Sequence, residues 1–173
     1  EVKEHLKIDS SVEDTYINNL LIAAQKSCEE YTNRIFIDST LKQYCDTWDD
    51  TKELLKNQVR SITAITYYDS DNALQTLASS VYTYDPALMP TRIALKPNQS
   101  FPAIADRINA VLVEYIVGVT LAADVDNAIK QAVLLTIGNW YQNRSAVVVG
   151  SQVNEVPMNA RYLLDQYRIQ VVR

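Results

Sequence analysis

The sequence predicts an α+β fold: a helical bundle formed by the N-terminal and C-terminal helices, with an antiparallel β subdomain inserted between them. Three observations lead there. Apolar residues recur at helical spacing up to about Asn33, the texture changes to short β-branched and aromatic runs between Ile35 and Val119, and the helical period returns after Gly118. Residues 1–34 and 120–173 would then be the helical core and residues 35–119 the insertion, together one domain.

The first long helix is expected from Ser11 to about Asn33, where Ile17, Leu20, Leu21, Ala24, Cys28 and Tyr31 make one stripe. Ser11, with Asp14 three positions on, reads as its N-terminal cap, and Glu13 and Asp14 place negative charge where the helix dipole favours it. A helical turn from Val2 to Ile8 would pack Leu6 and Ile8 against it. Five strands are expected: Phe36 to Tyr44, Ser61 to Tyr68, Leu74 to Tyr84, Arg92 to Leu95 and Ala110 to Val117. Asp69-Ser70-Asp71-Asn72 reads as a turn, because Asp and Asn side chains bond nearby backbone and Asn tolerates positive φ. Beyond Gly118 a helix carries Val125, Ile129, Ala132, Val133, Thr136 and Trp140 on one face, with Asp124 as its cap. A last helix, Asn159 to Arg168, would bury Tyr162, Leu163, Leu164 and Tyr167.

Composition excludes several classes. The chain has 173 residues, 47% hydrophobic and 21% charged, which suits a globular core. No run approaches the roughly 18 to 20 apolar residues of a membrane span, and Glu1 to His5 is unlike a signal peptide, so an origin in the cytoplasm is expected. A net charge of -5 argues against gripping nucleic acid by phosphate neutralisation. Cys28 and Cys45 are too few and too far apart for a disulfide framework and read as buried thiols. Asp46, Asp49, Asp50 and Glu53 invite a metal reading, but no calcium-loop spacing accompanies them. No metal and no cofactor is expected.

Several segments, taken in order, carry a resemblance. The first helix ends in Glu30-Tyr31-Thr32-Asn33-Arg34 after Ala23-Ala24, Val59 to Ile65 leads into Tyr67-Tyr68-Asp69, and Val111 to Gly118 reads as a closing strand. Ile129-Lys130-Gln131-Ala132 runs on through Trp140-Tyr141-Gln142-Asn143-Arg144, and Glu155-Val156-Pro157 is followed by Leu163-Leu164-Asp165-Gln166-Tyr167-Arg168. Across nearly its whole length the chain resembles the head–tail connector (adaptor) family of tailed phages. It departs from that pattern mildly: Asn33 stands for the glycine after the first helix, Asn72 for a turn glycine, and Phe101-Pro102 for a Trp-Pro pair.

The resemblance implies a virion protein made in the host cytoplasm and placed in the neck. There it would form a ring, commonly twelve-fold, beneath the portal protein, extend the DNA channel, and offer the attachment point for a stopper or tail terminator. DNA would pass without specific binding, and a channel lined with negative charge would let it slide. Alternatives are another neck component, such as a stopper or tail-completion protein, or a non-viral cytoplasmic binding module.

The interface candidates come from the C-terminal third. Trp140 reads as core at the end of its helix, whereas Arg144 is a candidate subunit or portal contact. Ala146 to Gly150 is an apolar run too short for a helix; it reads either as a buried strand or hairpin of its own subunit or, the reading preferred for a ring protein, as a loop in which Val147, Val148 and Val149, with Gln152 and Glu155, pack on a neighbour. Arg168, Ile169, Val171 and Arg173 belong to a terminal segment that, by the resemblance, reaches the portal. An enzyme is not expected. His5 is the sole histidine with no nucleophile elbow beside it, and three glycines make no phosphate-cradling loop.

Overall fold

A computed structural model describes residues 1–54, 59–88, 90–144 and 156–169. Four α-helices and seven strands are assigned among them: α1 Val2–Leu6, α2 Asp14–Thr32, α3 Asn127–Gln142 and α4 Met158–Leu164; β1 Ser39–Cys45, β2 Glu53–Leu54, β3 Val59–Tyr68, β4 Leu74–Thr76, β5 Tyr82–Asp85, β6 Thr91–Leu95 and β7 Val111–Val117. The fold is α+β, and every strand pair in its sheets is antiparallel. Chain contacts divide the described residues into two compact units. One joins Glu1–Arg34 to the residues from Ala123 onward, and the other is Ile35–Ala122.

In the helical unit, α2 and α4 both pack on α3. The predicted stripe of α2 is the buried one at Ile17, Ala24 and Cys28, and α3 answers with Ile129, Ala132, Val133, Thr136 and Ile137. Thr136 donates its hydroxyl to the Ala132 carbonyl at 2.8 Å, so a buried polar group is satisfied inside its own helix. α2 ends on Asn33 at φ 54°, the left-handed cap that asparagine supplies with little strain in place of glycine.

Both expected N-caps need correction. The N-cap of α2 is Glu13, two positions after Ser11, and α3 is capped by Asp126 rather than Asp124, its carboxylate accepting from the Ala128 N–H at 2.8 Å. Asp124 instead closes a 3-10 turn at Ala122–Asp124. Tyr162 is also corrected: it is 81% exposed, because α4 buries Ala160 and Leu164 and so turns Tyr162 outward.

The β unit holds two sheets, ordered β1-β7-β3-β4 and β2-β6-β5. The expected strand Leu74 to Tyr84 divides: β4 pairs with β3, while β5 pairs with β6 in the other sheet. β2 is two residues long, too short to carry a periodic signal in the sequence. Between the sheets lie Leu54, Val59, Ile65, Ile93, Val111, Val113, Tyr115 and Val117, all buried. Burial pushes the Tyr115 phenol up to about 12. At the Asp69–Asn72 turn, the Asp69 carboxylate accepts from the N–H groups of Asp71 and Ala73 at 3.0 and 2.9 Å, and Asn72 takes φ 59°. Phe101 stacks on Trp48 with centroids 4.5 Å apart, and the Pro102 carbonyl accepts the Trp48 indole N–H at 2.8 Å.

The chain crosses itself where it joins and leaves this unit. Asp38 N–H donates to the Val119 carbonyl at 2.9 Å and Val119 N–H to the Phe36 carbonyl at 3.0 Å. Arg60 clamps the crossing, its guanidinium bonded to the Thr120 hydroxyl and, at 2.7 Å, to the Asp38 carboxylate.

Candidate assembly interface

Arg144 lies just past the end of α3, and the fold brings it onto the start of α2. Its Nη2 is 2.8 Å and 2.9 Å from the two carboxylate oxygens of Glu13. The guanidinium lies 4.9 Å from the Tyr16 ring centroid and 4.5 Å from that of Tyr141, so two aromatic faces and one carboxylate hold it. Tyr141 donates its hydroxyl to the same carboxylate. That hydrogen bond first, and Arg144 second, hold the Glu13 carboxyl below the usual carboxylate range. The cluster fixes the exit of α3 immediately before residues 145–155. No spacing in the sequence signals Glu13 and Tyr16 as partners of Arg144, since they lie more than 120 positions away.

Arg168 and Ile169 lie at the other end of α2. The Tyr31 hydroxyl donates to Asp165 at 2.6 Å, and the guanidinium groups of Arg168 and Arg161 lie 5.2 Å and 5.7 Å from the Tyr31 ring centroid. Ile169 N–H donates to the Thr32 carbonyl at 2.9 Å, satisfying an acceptor that the helix end would leave open. Arg34 sits 6.0 Å from the Tyr167 ring centroid, and the Tyr167 hydroxyl bonds the Asp126 cap, which lowers the Asp126 pKa. Cations thus gather at the C-terminal end of α2, where the helix dipole favours them. Val147, Val148, Val149, Gln152, Glu155, Val171 and Arg173 lie outside the described residues.

The remaining candidates have structural places. Asp46 accepts from the Asn109 N–H at 2.7 Å, Asp50 from both the N–H and the hydroxyl of Thr47, Asp49 pairs with Lys52, and Glu53 with Arg92. Among the described residues no cluster of three metal-ligating side chains occurs. Trp140 is half-buried. His5 packs near Gly138 in a shallow cavity of about 240 Å³ lined also by Asn139, Gln142 and Asn159, side chains that hydrogen-bond but do not attack. Burial pushes the Cys28 thiol up, which keeps it protonated and a poor nucleophile. What the surface does offer is apolar side chains: Met158 and Tyr162 on α4, and Ile22 on α2, are all exposed.

Exposed side chains such as Tyr162 and Arg168 are of types that the centres of protein interfaces favour. Comparison with known proteins makes the class specific. The model of the phage gp6-like head-tail connector proteins matches residues 1–91, and the chain belongs to that family. It is a structural connector subunit of a phage-like neck. No curated protein sequence matches the chain.

Among solved structures, the chain is similar to one from the virion of a native gene transfer agent particle, with TM-score 0.78 and 18% identity over 99% of this chain and 89% of that one. A chain from the neck of the empty particle, computed with C6 symmetry, superposes with TM-score 0.74 at 18% identity, again over 99% and 89%. One from the neck of the native particle, computed with C12 symmetry, gives 0.72 at 18% identity over 91% and 84%. At that identity the likeness is one of fold.

Proposed function

We propose that this chain assembles as a cyclic ring, commonly of twelve copies, that seats on the portal protein, continues the DNA channel, and presents its far side to a stopper or tail terminator. The observation that carries this reading is family membership together with a fold shared along nearly the whole chain with neck chains computed under C6 and C12 symmetry. A closed ring needs subunits that are rigid at their contacts, and the Arg144–Glu13–Tyr141 cluster supplies such a point at the end of α3. Its work is binding and geometry, without a chemical step. The net charge of -5 suits a wall along which DNA slides.

The contact residues of this reading are Arg144 toward a neighbouring subunit or the portal, Val147, Val148, Val149, Gln152 and Glu155 toward the neighbouring subunit, and Arg168, Ile169, Val171 and Arg173 toward the portal. Co-sedimentation tests it. DNA-filled heads that carry the portal should retain this chain at about twelve copies each, and heads lacking the portal should retain none. Equal retention on both kinds of head would contradict it.

A further inference from the structure

We infer that neighbouring subunits meet head to tail through two outward helix faces, the Met158–Tyr162 ridge of α4 on one copy and the Ile22–Lys26 face of α2 on the next. This deepens the ring reading and rests on it.

Met158, Tyr162 and Ile22 are 87%, 81% and 59% exposed. α4 buries Ala160 and Leu164, and at about 100° per residue Met158 and Tyr162 point roughly 120° to 160° away from them. α2 buries Ile17, Ala24 and Cys28, and Ile22 points roughly 120° to 160° away from each. These side chains face straight out of the bundle, where none serves the core of its own subunit. Tyrosine and methionine are among the residues that interface centres favour.

The choice of a second copy follows from the pairing of the two faces. Met158 and Tyr162, four residues apart, form a ridge of long side chains, whereas Ile22 is flanked by the short Ala23. Charge agrees with this register: Lys26 stands one turn beyond Ile22, and Asp165, of which only Oδ1 accepts the Tyr31 hydroxyl, about one turn beyond Tyr162, so opposite charges align when Ile22 meets Tyr162. A contact between different faces is heterologous and propagates, closing as a ring when the rotation allows. A contact of one face with itself would stop at a pair.

A cysteine pair tests the contact. Cys28 and Cys45 are buried, so Ile22→Cys with Tyr162→Cys puts two accessible thiols on the chain. Oxidised on portal-bearing heads, the double variant should give a ladder of disulfide-linked multimers, and neither single variant should. Seated rings without a ladder, or only an internally linked monomer, overturn the contact and leave the ring reading intact. Absence of rings from heads given the unaltered chain overturns the ring reading itself. Should the double variant fail to seat, Tyr162→Asp decides. It alters an exposed side chain, so thermal melting should be unchanged while ring occupancy on heads falls at least tenfold; unchanged occupancy overturns the contact.

Discussion

Gly118→Ala probes the crossing that joins and leaves the β unit. Gly118 holds φ +81°, and a Cβ there would lie 2.5 Å from the Ile37 carbonyl oxygen, 2.6 Å from its carbon and 3.0 Å from Asp38 N. These are backbone atoms, pinned by the Asp38–Val119 and Val119–Phe36 hydrogen bonds. The left-handed conformation costs alanine about 1–2 kcal/mol. Relieving the contact parts those two bonds, at about 1 kcal/mol each. The expected loss is therefore about 3–4 kcal/mol. Urea unfolding measures it, followed by fluorescence in a Trp140→Phe background, which leaves Trp48 in the β unit as the sole tryptophan of the chain's two. A loss below about 1 kcal/mol would refute the reasoning, because neither the strain nor the clash could then be real.

Other outcomes follow from the same geometry. Glu13, Asp50, Asp69 and Asp126 all titrate lower in the folded chain, so they add stability above the normal carboxylate pKa that is lost as pH falls through their folded values. Thermal melts should decline steadily below about pH 4.5, and Glu13→Gln should make that decline shallower. Tyr115 is shifted the other way, so its contribution should disappear as pH rises from about 10 toward 12, and Tyr115→Phe should flatten the alkaline limb. At Asn33, Gly should match or exceed the parent in stability, while Ala should cost about 1 kcal/mol in denaturant titration, since only Ala pays for the left-handed cap.

Features set by local chemistry could be read from the sequence. The α2 stripe, the Asn33 cap and the Asp69–Asn72 turn each depend on residues within a few positions of one another. The partition of Leu74 to Tyr84 could not be read, because β4 and β5 share a strand-like texture and differ only in the distant strand each pairs with. Tyr162 falls outside the core because it stands about 160° around the helix from Leu164, which alone among Tyr162, Leu163 and Leu164 is fully buried. Arg144 was legible as an interface residue type, but its bond to Glu13 spans 131 positions and leaves no spacing signal. The family resemblance reached further than the physics, since it implied a ring that composition and periodicity cannot encode.

Electron microscopy of the portal vertex decides whether the chain forms a ring there. The chain is mixed with portal-bearing, DNA-filled heads and the vertices are imaged and averaged. The account predicts a closed ring seated on the portal and continuous with its channel, into whose density this two-unit fold fits once per subunit. Bare vertices, with the protein still folded in the same buffer, would contradict it.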